Sequence, residues 1–347
     1  LKFWLWLRQL LLGKPPARDL SRLESRELDV VAEEIDVSGG PRKPGHRRRA
    51  LRDPRLLPKA KAPVRLPAAL RERQLLFGFA ESKRLFSATL LTRNRSIRDL
   101  APDEEQLQRL GLPVWRTDED LAQALGITLR QLWFFGAHRD RELYPHYVTF
   151  AIPKRGGGRR LIMAPKKRLK AIQRQLLSLL VERLPVSENA HAFRKGRNIR
   201  SGADPHVGQR MVVRLDLKDF FPTVTWQRVR GLFLACGYGY PVATTLAMLV
   251  TEAERQPVDV DGTLYHVPVG PRHCVQGAPT SPALCNAIVL KMDHRLAGLA
   301  RKFNAAYSRY ADDLTFSGDL DRASAVGLLH HARKIIAAEG FTVNEAK

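Results

Sequence analysis

Hydrophobic and polar positions alternate or recur in stretches that define the elements of this chain. Residues 211–217 (MVVRLDL) alternate with period two: Met211, Val213, Leu215 and Leu217 share one face, and Val212, Arg214 and Asp216 the other. A half-buried strand follows from that pattern, with Asp216 on its open face near its C-terminal end. Residues 147–153 (YVTFAIP) and 161–164 read as two further strands. The glycine-rich, basic segment 154–160 (KRGGGRR) joins them into a hairpin. A helix over about 168–183 would bury Leu169, Ile172, Leu176, Leu177 and Leu180. Upstream, residues 117–135 form a small helical unit in which Asp118 or Asp120 caps and Leu121, Leu125 and Leu129 make an apolar face. Shorter periodic runs near 70–91 and 104–110 predict helices. Residues 226–235 predict another helix, and residues 259–267 (DVDGTLYHV) a hairpin turning at Asp261-Gly262.

Charge changes this picture most at the N-terminal end. Residues 41–62 hold nine Lys or Arg against one Asp, with four prolines, and such a segment cannot build a core. The whole chain of 347 residues carries a formal charge of +23, from 58 Lys and Arg against 35 Asp and Glu. That surplus favours a polyanionic partner, because each neutralised phosphate releases counterions. The charge alone does not distinguish DNA, RNA and anionic lipid. The opening residues 1–13 (LKFWLWLRQLLLG) are apolar but short and interrupted by Lys2, Arg8 and Gln9, which suits a helix docked on its own protein. No run reaches the length of a membrane span. Three cysteines, Cys236, Cys274 and Cys285, argue against a disulfide scaffold, and His273-Cys274 has no companions at zinc-site spacing.

The chemistry concentrates in carboxylates. Residues 307–318 (YSRYADDLTFSG) place Asp312-Asp313 between two β-prone runs, which predicts a hairpin with acids at its tip. Adjacent carboxylates repel unless a cation or solvent compensates. A second acid at the end of the 211–217 strand would complete a three-carboxylate cluster if the strand lies beside the hairpin. Nucleotidyl transfer with two divalent ions needs such a cluster. An isolated Asp-Asp at a surface turn is the plain alternative, and the residues by themselves leave both readings open.

The same residues carry a family resemblance. Tyr310-Ala311-Asp312-Asp313 resembles the YxDD signature of reverse transcriptases, and 214–224 (RLDLKDFFPTV) resembles their first palm motif. Residues 276–286 (QGAPTSPALCN), the basic hairpin through Pro165, Leu169-Lys170 and 191–199 (HAFRKGRNI) resemble further blocks of bacterial members. The blocks cover roughly residues 120–347 in order, and the combination is most similar to the retron reverse transcriptases. Group II intron maturases are near relatives, and a non-catalytic RNA-binding scaffold with this fold is the alternative from a different class. The Asn-Ala-x-x-His signature of retron enzymes has no clear copy before Gln276.

The resemblance implies an α+β fold: right-hand fingers and palm, an antiparallel sheet backed by helices, with a helical N-terminal region. It divides the chain into a basic extension (1–70), a helical region (71–145) and fingers and palm (146–347). The recognisable pattern runs out at 339–347, before a thumb. It implies RNA-directed DNA synthesis, with Asp216, Asp312 and Asp313 as catalytic metal ligands and the Leu217 carbonyl as a further ligand. The metal would be Mg2+, two ions, with Mn2+ as a substitute. Phe221 would exclude a 2′-hydroxyl from the incoming sugar, and Gln276 and Gly277 would shape the floor under the nascent base pair. Arg159 and Arg160 would contact the triphosphate of a deoxynucleoside triphosphate. Lys154, Arg155, Arg194, Lys195 and Arg197 are the candidates for nucleic-acid contact. Asn286 would support the palm, and Phe220 and His191 would pack. Implied partners are a structured noncoding RNA serving as template and primer, the RNA–DNA duplex and a separate effector protein. The implied setting is the bacterial cytoplasm and anti-phage defence, with multicopy single-stranded DNA as product.

Overall fold

The computed structural model describes residues 98–137, 142–153 and 159–345. The expectations for 1–13, 41–62 and 70–91, and for Lys154 and Arg155, fall outside those residues.

Near the start, α1 (Glu104–Arg109) is capped by the Asp103 side chain, which accepts from the Gln106 amide. The predicted unit at 117–135 is two helices, α2 (Asp118–Ala124) and α3 (Leu129–Gly136). Gly126, at φ +61°, breaks them apart. The caps are Thr117 and Thr128, each in a reciprocal capping box, with Asp120 and Gln131 as the partners three residues on. Asp118 and Asp120 are therefore first-turn residues and not the cap. Leu121, Leu125 and Leu132 are buried, while Leu129 is only half-buried at the start of its helix.

Strands β1 (Tyr147–Pro153) and β2 (Arg159–Pro165) pair antiparallel, from Tyr147 opposite Pro165 to Pro153 opposite Arg159. Helix α4 (Lys167–Leu179) follows and buries Leu169, Ile172, Gln173 and Leu176, with Leu180 buried just beyond it. Leu177 is half-buried. The buried Gln173 side-chain amide donates to the Tyr147 hydroxyl (2.7 Å) and the Leu249 carbonyl (2.8 Å). A short α5 (Ile199–Ala203) leads to β3 (Met211–Asp216), a one-turn α6 (Phe220–Thr223), and the paired α7 (Trp226–Cys236) and α8 (Tyr240–Val250).

The second hairpin, β4 (Arg255–Val260) and β5 (Thr263–Pro268), turns at Asp261-Gly262 as predicted. Both turn residues have positive φ, 52° and 75°, the requirement of a tight two-residue hairpin loop. Helices α9 (Ser281–Ile288) and α10 (Leu290–Lys302) precede the last hairpin, β6 (Ala306–Tyr310) and β7 (Asp313–Gly318), and α11 (Arg322–Ala338) follows it.

The central sheet has the order β3-β7-β6, all antiparallel. Its hydrophobic core runs without interruption from Leu107 through α7 and α8 to Phe341, so the N-terminal helices and the sheet layer share one interior. Tyr238 is a joint in that interior: its ring stacks on Trp115 at 5.8 Å and its hydroxyl donates to the Pro113 carbonyl. A second small cluster, Tyr147, Met163, Leu169, Val275 and Ala278, fastens the β1–β2 hairpin to the 275–278 loop. This mixture of helices and antiparallel sheets is the α+β fingers-and-palm class that the sequence predicts. Among the described residues no helix is long and apolar enough to cross a membrane. The cysteines Cys236, Cys274 and Cys285 are free and buried.

Candidate active site

Two adjacent strand ends assemble the acidic site. In the β3–β7 ladder Asp216 lies directly opposite Asp313. In the β6–β7 hairpin Tyr310 lies opposite Asp313, which leaves Ala311 and Asp312 as a two-residue loop. Ala311 takes φ 58°, an uncommon conformation for a residue with a Cβ. The loop is pinned to β3 because the Leu217 amide donates to the Asp312 carbonyl at 2.9 Å. Residues far apart in sequence thus meet at one sheet end.

One expectation is overturned here. Alternation put Asp216 on an open face, yet it is only 4% exposed, while its strand neighbour Arg214 is exposed. The segment after α11 returns beside the end of β3: Lys218 donates to Thr342, and the Asn344 amide donates to the Asp216 carbonyl at 2.7 Å. The Asn344 side chain also donates to Asp216 Oδ2 at 2.9 Å. That segment pairs in register with the end of β3, where Leu217 and Val343 form an antiparallel bridge, and so extends the sheet at its edge. Asp312 and Asp313 are half-buried.

Among the described residues no three His, Cys, Asp or Glu side chains are grouped closely enough to hold a metal ion. The donor chemistry at the sheet end still suits hard divalent ions, since Asp216, Asp312 and Asp313 offer only oxygen.

Beyond the strand, Asp219 takes a left-handed conformation (φ 47°) and starts α6. Phe220 points into the core, 6.0 Å from the Phe341 ring, as its packing role requires. Phe221 is half-buried, with its ring edge-on to Phe220 at 5.7 Å. Gln276 and Gly277 sit against β2. The Gln276 carbonyl accepts from the Met163 amide at 2.8 Å, and a Cβ on Gly277 would meet the Met163 carbonyl oxygen at 2.8 Å. The feature that fixes glycine here is this contact with the β1–β2 hairpin, together with φ +119°.

Arg159 and Arg160 are exposed at the first positions of β2. The other basic candidates are engaged locally: Arg194 and Arg197 both reach Glu188, at 2.8 and 2.6 Å, and Lys195 reaches Glu182 at 2.7 Å. These pairs are exposed on at least one side and contribute little to stability. His191 is buried and bonded to Ser201 Oγ at 3.0 Å. Burial, with Arg197 and Arg194 nearby, lowers its pKa to about 4, so it is neutral at pH 7.

Behind the acidic turn lies a group the sequence reading missed. Arg309, on β6, is fully buried and makes a two-pronged contact with Asp293 of α10: Nε to Oδ1 and Nη2 to Oδ2, both 2.8 Å. Its Nη1 donates to Asn286 Oδ1 (2.9 Å) and to the Ala311 carbonyl (3.0 Å). Tyr307 donates its hydroxyl to Asp293 as well. Asn286 in turn donates to the Ala192 carbonyl, and the Arg309 backbone pairs with Asn189 and His191. Burial works to lower the Arg309 pKa, but Asp293 outweighs it and the guanidinium is held above its ordinary value. A charge at an inward-facing strand position was the available signal. The support role expected for Asn286 matches this placement.

Residues 152–347 match the sequence profile of the reverse transcriptase (RNA-dependent DNA polymerase) family. Over 347 aligned residues the chain is 57% identical to the Retron Mx65 reverse transcriptase of Myxococcus xanthus, covering 97% of this chain and 79% of that protein. It is 45% identical over 258 residues to the Retron Mx162 reverse transcriptase of the same organism, covering 72% of this chain and 53% of the relative. Similarity reaches the Retron Ec86 reverse transcriptase of Escherichia coli, at 32% identity over 247 residues, 70% of this chain and 69% of the relative.

Proposed function

The chain belongs to the reverse transcriptase family, among the retron reverse transcriptases, and on that premise we propose that its sheet end is the centre for RNA-directed DNA synthesis. The observation that carries the assignment to these residues is the ladder that opposes Asp216 and Asp313 with Asp312 in the adjoining loop. Divalent metal ions serve the family, and Mg2+ is the ion assigned here, with Mn2+ as a substitute. Held by these carboxylates, such ions would supply activation of a primer 3′-hydroxyl and neutralisation of triphosphate charge.

The residues of the chain do the positioning. Asp216, Asp312 and Asp313, with the Leu217 carbonyl, supply oxygen donors at one end of the sheet. Asn344 donates to one oxygen of Asp216, orienting its carboxylate. Phe221 bounds the sugar site and excludes a 2′-hydroxyl by contact. Arg159 and Arg160 offer charge to the triphosphate from the start of β2. Gln276 and Gly277, held against β2, shape the floor beneath the new base pair. Arg194, Lys195 and Arg197 exchange surface carboxylates for phosphates of the nucleic acid. Because the roles are electrostatic and positional, no histidine base is needed.

The partner is a noncoding RNA acting as template and primer, and the product is the single-stranded DNA of a retron. A separate effector protein, an anti-phage setting and a cytoplasmic location extend the same family reading.

The test is extension of a primed RNA template with deoxynucleotides and Mg2+, comparing the chain with Asp312→Asn. Synthesis by the parent and its loss in a folded Asp312→Asn variant is the expected result. Undiminished synthesis by that variant would overturn the role of the loop. No synthesis by the parent, even on its own noncoding RNA, would favour an RNA-binding scaffold.

A further inference from the structure

The Ala311–Asp312 loop has an uncommon backbone conformation and must still present its carboxylates at a fixed place. Its restraints include the ladder on either side, the Leu217 amide on the Asp312 carbonyl, and the Arg309 guanidinium on the Ala311 carbonyl. Arg309 reaches the loop from the buried side, at the Ala311 carbonyl. Its orientation is fixed by the two oxygens of Asp293 and by Asn286, and these groups are almost completely buried. A planar guanidinium with several donors in fixed directions suits this task, and a lysine ammonium could not serve all three partners in the same geometry. Asn286 also holds the Ala192 carbonyl, and the Arg309 amide donates to Asn189 while its carbonyl accepts from His191. The 189–192 segment and the acidic loop therefore share one rigid support.

Given the reading of the sheet end as a polymerase centre, we propose that Arg309, locked by Asp293 and Asn286, is a positioning residue that holds the Ala311 carbonyl and thereby fixes where Asp312 and Asp313 stand. It touches no substrate. Stability alone is weak motivation for such a group, since a buried ion pair seldom outperforms well-packed apolar side chains. The contact with the loop carbonyl gives the pair a task that an apolar replacement would not perform.

That difference supplies the experiment. The triple variant Asp293→Leu, Tyr307→Phe, Arg309→Met removes the ion pair and its hydroxyl partner together, so no buried charge is orphaned. It should melt cooperatively. Hydrogen exchange at the Leu217 amide and across 311–313 should accelerate on the order of tenfold or more, with amides of the β4–β5 hairpin unchanged. In synthesis, kcat should fall on the order of tenfold or more, and the Mg2+ concentration for half-maximal rate should rise, while KM for primed template stays put. A folded triple variant with parental exchange at the loop and parental kcat would overturn the proposal and leave the pair a packing element. Should the triple variant not fold, Arg309→Lys decides: faster loop exchange supports the clamp, and unchanged exchange with unchanged kcat overturns it. If the parent itself synthesises nothing, the polymerase reading fails, and the exchange measurement still decides the clamp.

Discussion

Replacing Gly277 by alanine tests how tightly the β1–β2 hairpin is fastened to the sheet layer. The new Cβ would lie 2.8 Å from the Met163 carbonyl oxygen and 3.0 Å from Ile162 Cγ2, on a backbone with φ +119°. An L-residue in such a conformation costs about 1–3 kcal/mol. Relief of the clash would pull β2 away and stretch the 2.8 Å bond from the Met163 amide to the Gln276 carbonyl. Loss of that bond adds roughly 0.5–1.5 kcal/mol. The sum, about 2–4 kcal/mol, should lower Tm by about 5–12 °C for a domain of this size. Gly262→Ala is the control, because Gly262 also has positive φ (+75°) but has open space where its Cβ would go. It should cost only about 1 kcal/mol. Thermal melts of the three proteins measure the difference directly. A Gly277→Ala protein that melts no lower than Gly262→Ala would refute the reasoning, since Gly262 lacks both the contact with β2 and the φ +119° backbone. Primer extension at 25 °C, well below either transition, should also be slower for Gly277→Ala.

Phe221→Ala should admit ribonucleotides, read as a fall in the ratio of kcat/KM for deoxy- over ribonucleoside triphosphates by about tenfold or more; an unchanged ratio removes Phe221 as the sugar gate. His206, buried between Ser317 Oγ (2.6 Å) and Ser308 Oγ (2.7 Å), has its pKa pushed down to about 4 by burial, with a smaller contribution from His191. The unfolded chain takes up this proton near pH 6.5 while the folded protein resists until about pH 4, so stability present at neutral pH is lost as pH falls through that window. The loss from His206 over the whole window is about 3 kcal/mol, about 2 of it between pH 7 and pH 5, and His191 adds in the same direction. Urea unfolding at pH 7 and pH 5 should show it, and His206→Gln should flatten the dependence; a parental slope in that variant would assign the loss elsewhere.

Elements with local signals are legible along the chain. Alternation located β1, β2 and β3, turn chemistry located the bend at Asp261-Gly262, and helical spacing located α4 with its buried leucines. The residue types alone leave Asp312-Asp313 open between a metal cluster and a surface turn, and it is the family resemblance of the motifs that names Asp216, Asp312 and Asp313 together. The remaining features depend on packing between distant segments. Periodicity reports that a side chain faces one side of a strand, but not what arrives there from elsewhere. Alternation places Asp216 on an open face, yet it is buried and hydrogen-bonded to Asn344 from the returning segment. Pairing of charges has the same limit: Arg309 and Asp293 each look anomalous at a core position, and only packing of β6 on α10 makes them partners. Gly277 is likewise one of many glycines until the Met163 carbonyl is found in the space its side chain would need. In each case the deciding energy is a contact between segments distant in sequence, set by the fold as a whole and invisible to any local window.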